Sequence, residues 1–326
     1  MKLITFEQAG QPRLGALHDG AVVDLALAAA DHGTTLPGDM LAFLALEGTG
    51  MDLAREVLSQ VDPGATYAQP LSAVKLLAPV PHPPSMRDAY AFRQHVETAR
   101  RNRGLDMIPE FDQFPVFYFS NHNAVHGPGP VQVRPRHMER LDFELECAAV
   151  IGKSGRDIPA DQADEHIAGF TIMNDLSART WQMEEMKLNL GPAKGKDFAT
   201  AIGPWLVTRD ELADQRIPGD EGERFDLEMT ARVNGAKVSR DSLKNMSWTF
   251  AQIIERASYG VDLYPGDVIG SGTCGTGCFL ELNGSGITDN QWLQDGDTVE
   301  LAIERLGVLS NTIVQANESE VLGPES

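Results

Sequence analysis

The chain reads as a β-rich α+β protein, and three observations carry that reading. Apolar runs of strand length dominate from about residue 86 onward. They do not alternate regularly with helical patterns, as a doubly wound sheet would require. A proline-dense segment, LLAPVPHPPSM, sets them apart from a small amino-terminal stretch of different pattern.

Taken in order, KLITFEQ, RLGALHD and AVVDLAL are strand-like pieces separated by turns, and LPGDMLAFLALEG and MDLAREVLSQV carry helical spacing. Residues 1–78 are thus expected to form a small β-rich domain. Prolines at 79, 81, 83 and 84 forbid regular structure, so residues 79–85 are expected to be a linker. Residues 86–314 form the second domain. Its expected strands are PVFYF, VQVRP, FELECAAVIG, AGFTIMND, PWLVT, RFDLEMTARVNG, DVIGSG, FLELNG and TVELAIERLG. Helices are expected in DAYAFRQHVETARR, ADQADEHIA, LSARTWQMEEMK and MSWTFAQIIERASY. Residues 315–326 are polar and expected to fray.

Composition narrows the class. An apolar content of 42% with 23% charged residues is that of an ordinary soluble globular protein. A net charge of −20, from 27 basic and 47 acidic residues, opposes nucleic acid or an anionic membrane as partner. No segment approaches the roughly 18 apolar residues of a spanning helix, and the first residues lack a signal-peptide core. A cytoplasmic location is expected. Cys147, Cys274 and Cys278 are odd in number, badly placed for a disulfide framework, and read as reduced.

The strongest chemical signal is Glu144 and Glu146 within LDFELECAAVIG. Side chains two apart on a strand share a face, so the carboxylates converge while Leu141, Phe143, Leu145 and Cys147 pack the other side. Like charges so placed need a cation, protons or basic neighbours. Asp175 ends a second apolar run, GFTIMND, and oxygen ligands from several strands suit Mg²⁺, Mn²⁺ or Ca²⁺ rather than zinc. Asp88 and His95 are seven residues apart, almost two helical turns, and would share a face if DAYAFRQHVETARR is helical. A lone histidine on a helix is more often a surface or satisfied core group than a base.

Other motifs weaken on inspection. Gly270, Gly272 and Gly275 spell GxGxxG, but an expected strand follows, leaving no helix amino terminus for a pyrophosphate. The bland reading is a turn between strands whose N–H groups face a substrate anion. GPAKGKD has three residues between Gly191 and Gly195 where a phosphate loop needs four. Cys274 and Cys278 lack a partner His or Cys pair in the sequence, so a zinc site is not expected.

Together, DAYAFRQH, LDFELE, MNDLSAR and FLELNG resemble the motifs of the fumarylacetoacetate hydrolase family, from about Asp88 to Leu306. The resemblance implies a mixed β-roll domain, a small β-barrel-like amino-terminal domain and a homodimer. It implies Asp88, Glu144, Glu146 and Asp175 as ligands of a divalent metal, Mg²⁺, Mn²⁺ or Ca²⁺, and His95 as the water-activating base oriented by Glu281. Lys196 and Gln182 would stabilise the oxyanion, and Tyr118 and Thr273 would contact substrate. Met186 stands where some members place a tyrosine, so the substrate side of the pocket departs from the pattern. The implied activity is hydrolysis of a carbon–carbon bond in a β-diketo acid of the acylpyruvate type, as in the catabolism of aromatic compounds. Alternatives are decarboxylation of an oxaloacetate-type acid, hydration or isomerisation of a 2-oxo-enoic acid, and a non-catalytic metal-stabilised binding protein.

Overall fold

The computed structural model describes residues 1–62 and 64–317. Its largest sheet has 12 strands, with two long apolar ones, Leu145–Ile151 and Ile167–Asp175, near its middle. Leu145, Cys147, Ala149 and Ile151 pack into one core, and Ala148 and Val150 into another. Burial on both faces is why this segment is a near-continuous hydrophobic run. Leu141 and Phe143 join the core of Leu145 and Cys147, which leaves Glu144 and Glu146 to the opposite side.

The main strand path runs Ala68–Pro70, Ala21–Asp24, Gln11–His18, Lys2–Gln8, Thr200–Thr208, Ile167–Asp175, Leu145–Ile151, Val268–Gly270, Met86–Ala89, Phe117–Phe119. The amino-terminal strands, expected to be barrel-like, instead extend this open path among the described residues: Lys2 and Leu3 pair antiparallel with Val207 and Leu206. The cause is shared burial, since Leu3, Leu14 and Val23 lie in one core with Ile202 and Leu206. AVVDLAL divides in two. Asp24 ends the strand Ala21–Asp24 and accepts the Leu27 N–H, capping the helix Leu25–Asp31. The helices Met40–Leu44 and Glu47–Leu58 follow where the periodicity places them.

A second, five-stranded sheet runs Ala236–Ser242, Glu228–Val233, Thr298–Ile303, Gly307–Gln315, Gly129–Val133. It shares a core with the first sheet and with the helix Phe250–Ser258, which a Thr249–Gln252 capping box begins. Ala236–Ser242 and Gly307–Gln315 have no counterpart among the expected strands. AKVSRDS carries one apolar side chain beyond its alanine, and pairing with Glu228–Val233 rather than local pattern makes it a strand. Gln315 closes its strand and the Ala316 N–H donates to the Val133 carbonyl, so the start of the expected frayed tail is held. The stretch from residue 318 lies outside the described residues. No helix among the described residues is long and apolar enough to cross a membrane.

Candidate metal centre and active site

Sheet register brings four distant carboxylates together. Gly270 pairs antiparallel with Ala148 on one side and parallel with Asp88 on the other, which sets Asp88 beside the strand that carries Glu146. Leu145 and Glu146 pair with Asn174 and Met173, placing Asp175 one residue beyond, at the end of its strand. Glu144 precedes the strand Leu145–Ile151 rather than lying in it, and its N–H is held by the Asn174 side chain at 3.1 Å. One oxygen from each of Asp88, Glu144, Glu146 and Asp175 lies within 4.8 Å of the others, and all four residues are buried. Asp88 sits on the strand Met86–Ala89 and His95 on the helix Arg93–Arg101, so they do not share a helix face as expected. Pairing with Val268–Gly270 overrides the local helical pattern.

The electrostatics sort the four acids. Burial works to raise the Glu144 pKa, but Lys196 and Arg179 outweigh it and hold the group down at about 2. The Lys196 ammonium contacts Glu144 and lies 2.7 Å from Asp175, and the Arg179 guanidinium lies 2.8 Å from Glu144. Asp88 is pushed up to about 7 by burial and then by the Asp175 charge. Glu146 is also raised, well above the usual carboxylate range, by burial and then by Asp88 and Glu144, and its buried Oε2 has no hydrogen-bond partner among the described residues. Two basic side chains, one of them shared with the buried Asp142, face four carboxylates, so at least two negative charges are unmatched, concentrated at Asp88 and Glu146. Either protons or a cation must sit there. An all-oxygen donor set with this charge deficit fits a hard divalent cation.

Gly270 is the floor of this cradle. A Cβ there would lie 2.6 Å from Asp88 Oδ1 and 3.0 Å from Glu146 Oε2. Gly270→Ala is therefore expected to weaken Mn²⁺ binding at least tenfold in a calorimetric titration, and an unchanged affinity would show that these oxygens are not ligands. In the glycine-rich loop, two backbone donors are taken up by protein carboxylates: Gly272 donates to Asp88 at 3.1 Å and Gly275 to Asp241 at 2.6 Å.

Beside the carboxylates stands a histidine–glutamate pair. His95 Nδ1 is 2.7 Å from Glu281 Oε2, and both residues are buried. FLELNG is a helix, Phe279–Gly284, not the expected strand. Its alternating pattern is overridden by a cap from far away in sequence: Asp142 accepts the N–H groups of Phe279 and Leu280 at 2.7 and 2.9 Å. Phe279 also packs edge-on against Phe143, with ring centroids 5.1 Å apart, a contact of about 1 kcal/mol beyond its burial. Asp142 in turn receives Arg179 Nε at 2.8 Å. The buried Arg179 therefore ties the Glu144 carboxylate to the helix that carries Glu281. Sequence reasoning missed both Asp142 and Arg179. The only signal was an aspartate and an arginine standing beside the candidate carboxylates in LDFELE and MNDLSAR.

The remaining candidates converge on the same site. The Tyr118 hydroxyl donates to Asp175, and Thr273 Oγ1 lies 3.4 Å from Glu146 Oε1. Gln182 Oε1 accepts from Arg179 at 2.9 Å. Tyr90, absent from the sequence candidates, packs edge-on to His95 at 5.9 Å. Met186 is exposed.

A strand-built cluster of four carboxylates beside a buried histidine–glutamate pair defines a class, and comparison with known proteins gives it a family. Residues 85–314 match the family model described as fumarylacetoacetate (FAA) hydrolase C-terminal, and the chain belongs to the fumarylacetoacetate hydrolase family. It is 31% identical over 319 residues to the mitochondrial oxaloacetate tautomerase FAHD2A of Bos taurus, covering 96% of this chain and 92% of that one. It is 30% identical over 286 residues to the oxaloacetate tautomerase YisK of Bacillus subtilis, covering 86% and 87%. Among solved structures, the fumarylacetoacetate hydrolase of Exiguobacterium antarcticum superposes with a TM-score of 0.72 at 27% identity, covering 97% of this chain and all 100% of that one.

Proposed function

We propose that the protein interconverts the keto and enol forms of a 2-oxo dicarboxylic acid of the oxaloacetate class, with Mg²⁺ or Mn²⁺ at the four carboxylates. The observation that carries the proton-transfer chemistry is the buried His95–Glu281 pair beside those carboxylates. The substrate class rests on the two oxaloacetate tautomerases that match most of the chain. When bound, a divalent cation supplies Lewis-acid polarisation of the 2-oxo group.

The chain's own residues do the rest. Glu281 holds His95 through Nδ1, leaving Nε2 as the free nitrogen. His95 Nε2 takes the proton from substrate C3, the C–H electron pair becomes the C2–C3 double bond, and the carbonyl pair moves onto oxygen. Return of the proton to that oxygen completes the enol, so no atom is lost, and the reverse path gives the keto form. Lys196 keeps its proton, because Asp175 and Glu144 outweigh the cost of its burial. It serves as a fixed donor toward the developing oxyanion, a role typically contributing about 3 kcal/mol.

The second reading is hydrolysis of a β-diketo acid such as an acylpyruvate, in which the same histidine takes a proton from water. The Exiguobacterium antarcticum hydrolase supports it. Purified protein with Mg²⁺ or Mn²⁺ should speed the loss of enol-oxaloacetate absorbance at least a hundredfold over buffer and leave acylpyruvates largely intact. Cleavage of an acylpyruvate at the greater rate would transfer the assignment to hydrolysis. Neither activity would sink both readings.

A further inference from the structure

Cys147 and Cys274 pack in the apolar core, whereas Cys278 stands with His95 and Glu281. One ligand atom from each of these three buried residues lies within 4.8 Å of the others. Cys278 precedes the helix Phe279–Gly284, Glu281 occupies its first turn, and His95 comes from the helix Arg93–Arg101. We propose that His95, Cys278 and Glu281 form a second metal site, selective for a thiophilic divalent cation such as Zn²⁺, whose occupation inhibits the enzyme.

Donor chemistry separates the two sites. The four carboxylates offer only oxygen, which suits Mg²⁺ or Mn²⁺, while one thiolate, one imidazole and one carboxylate suit zinc. Three protein ligands with a fourth position left open is a recurrent zinc arrangement. Zinc bonds of about 2.0 Å to nitrogen and oxygen and about 2.3 Å to sulfur set tetrahedral ligand atoms roughly 3.3 to 3.6 Å apart. The three ligand atoms, within 4.8 Å of one another, would have to draw together to reach that spacing. His95 and Glu281, at 2.7 Å, stand closer than two ligands of one zinc ion, so binding would prise them apart. The imidazole would lose its orienting hydrogen bond and commit a nitrogen to the metal. Binding also releases the Cys278 thiol proton to solvent, so affinity falls as pH falls.

The inhibitory consequence rests on His95 acting as proposed above, whereas the metal site does not, and two arms keep them apart. In the first, Cd²⁺ is titrated into the full-length protein saturated with Mg²⁺. A sulfur-to-metal charge-transfer band should grow to one equivalent, and should be missing from both Cys278→Ser and Cys278→Ala. In the second, Zn²⁺ should inhibit the Mg²⁺-loaded wild-type protein, and Cys278→Ser, with its basal turnover intact, should be at least tenfold less sensitive. No band in the wild-type protein, or an undiminished band in both variants, would overturn the site. Equal zinc sensitivity of wild type and Cys278→Ser would overturn the inhibitory role, since displacement of Mg²⁺ from the carboxylates needs no thiol.

Discussion

Glu146→Ala is expected to remove bound metal and turnover together. Glu146 is fully buried, its Oε2 has no protein partner, and it faces Asp88 across the cradle above Gly270. Outer-shell changes around metal sites typically cost roughly 10- to 100-fold in affinity, and loss of a direct ligand should exceed about 100-fold. The same substitution should act in the opposite sense on the metal-free protein. It removes a buried carboxylate whose repulsion with Asp88 nothing offsets in the absence of cation or proton. Metal-free Glu146→Ala should therefore melt at or above metal-free wild type, while added Mn²⁺ raises the wild-type melt alone. Metal per chain and melting temperature, each with and without chelator, settle the point. A variant that retains stoichiometric metal would refute the ligand assignment.

His95→Ala should part company with this behaviour. It leaves all four carboxylates, Lys196 and Arg179 in place, so metal content should match wild type. Turnover should fall by about 10² to 10⁴ in kcat, the range of general acid–base catalysis, with a smaller change in KM. Glu281→Gln, which keeps a hydrogen-bond partner for the ring but removes its carboxylate, should fall between wild type and His95→Ala. Wild-type kcat in His95→Ala would refute the histidine as proton acceptor for either reaction.

The apolar runs and the carboxylates they carry were readable because burial on both faces leaves few places for a charge to hide. Glu144, Glu146 and Asp175 are conspicuous inside segments with little else to solvate. What was not readable depends on partners remote in the chain. The strand Met86–Ala89 begins a stretch patterned as helix throughout, and only its neighbour Val268–Gly270 makes it extended. FLELNG alternates like a strand, and becomes a helix because Asp142 reaches its first N–H groups. Cys278 has no histidine near it in the sequence. The fold supplies His95 from more than 180 positions earlier. Arg179 escaped notice because a buried arginine is recognisable only once its two acidic partners are placed.

The parallel pairing of Asp88 with Gly270 also sets when the site can exist during synthesis. A chain emerging from the ribosome has Asp88 early, yet nothing to lay that strand against until residues 268–270 have cleared the exit. Glu144, Glu146 and Asp175 can assemble among themselves well before then, through the contiguous pairing of their two strands. A nascent chain of about 200 residues would thus expose a clustered triad of acids with no fourth member. Pairings of such long sequence separation form late and slowly. On this topology, a cation is expected to meet all four carboxylates only once residues 268–270 have paired with the strand that carries Asp88.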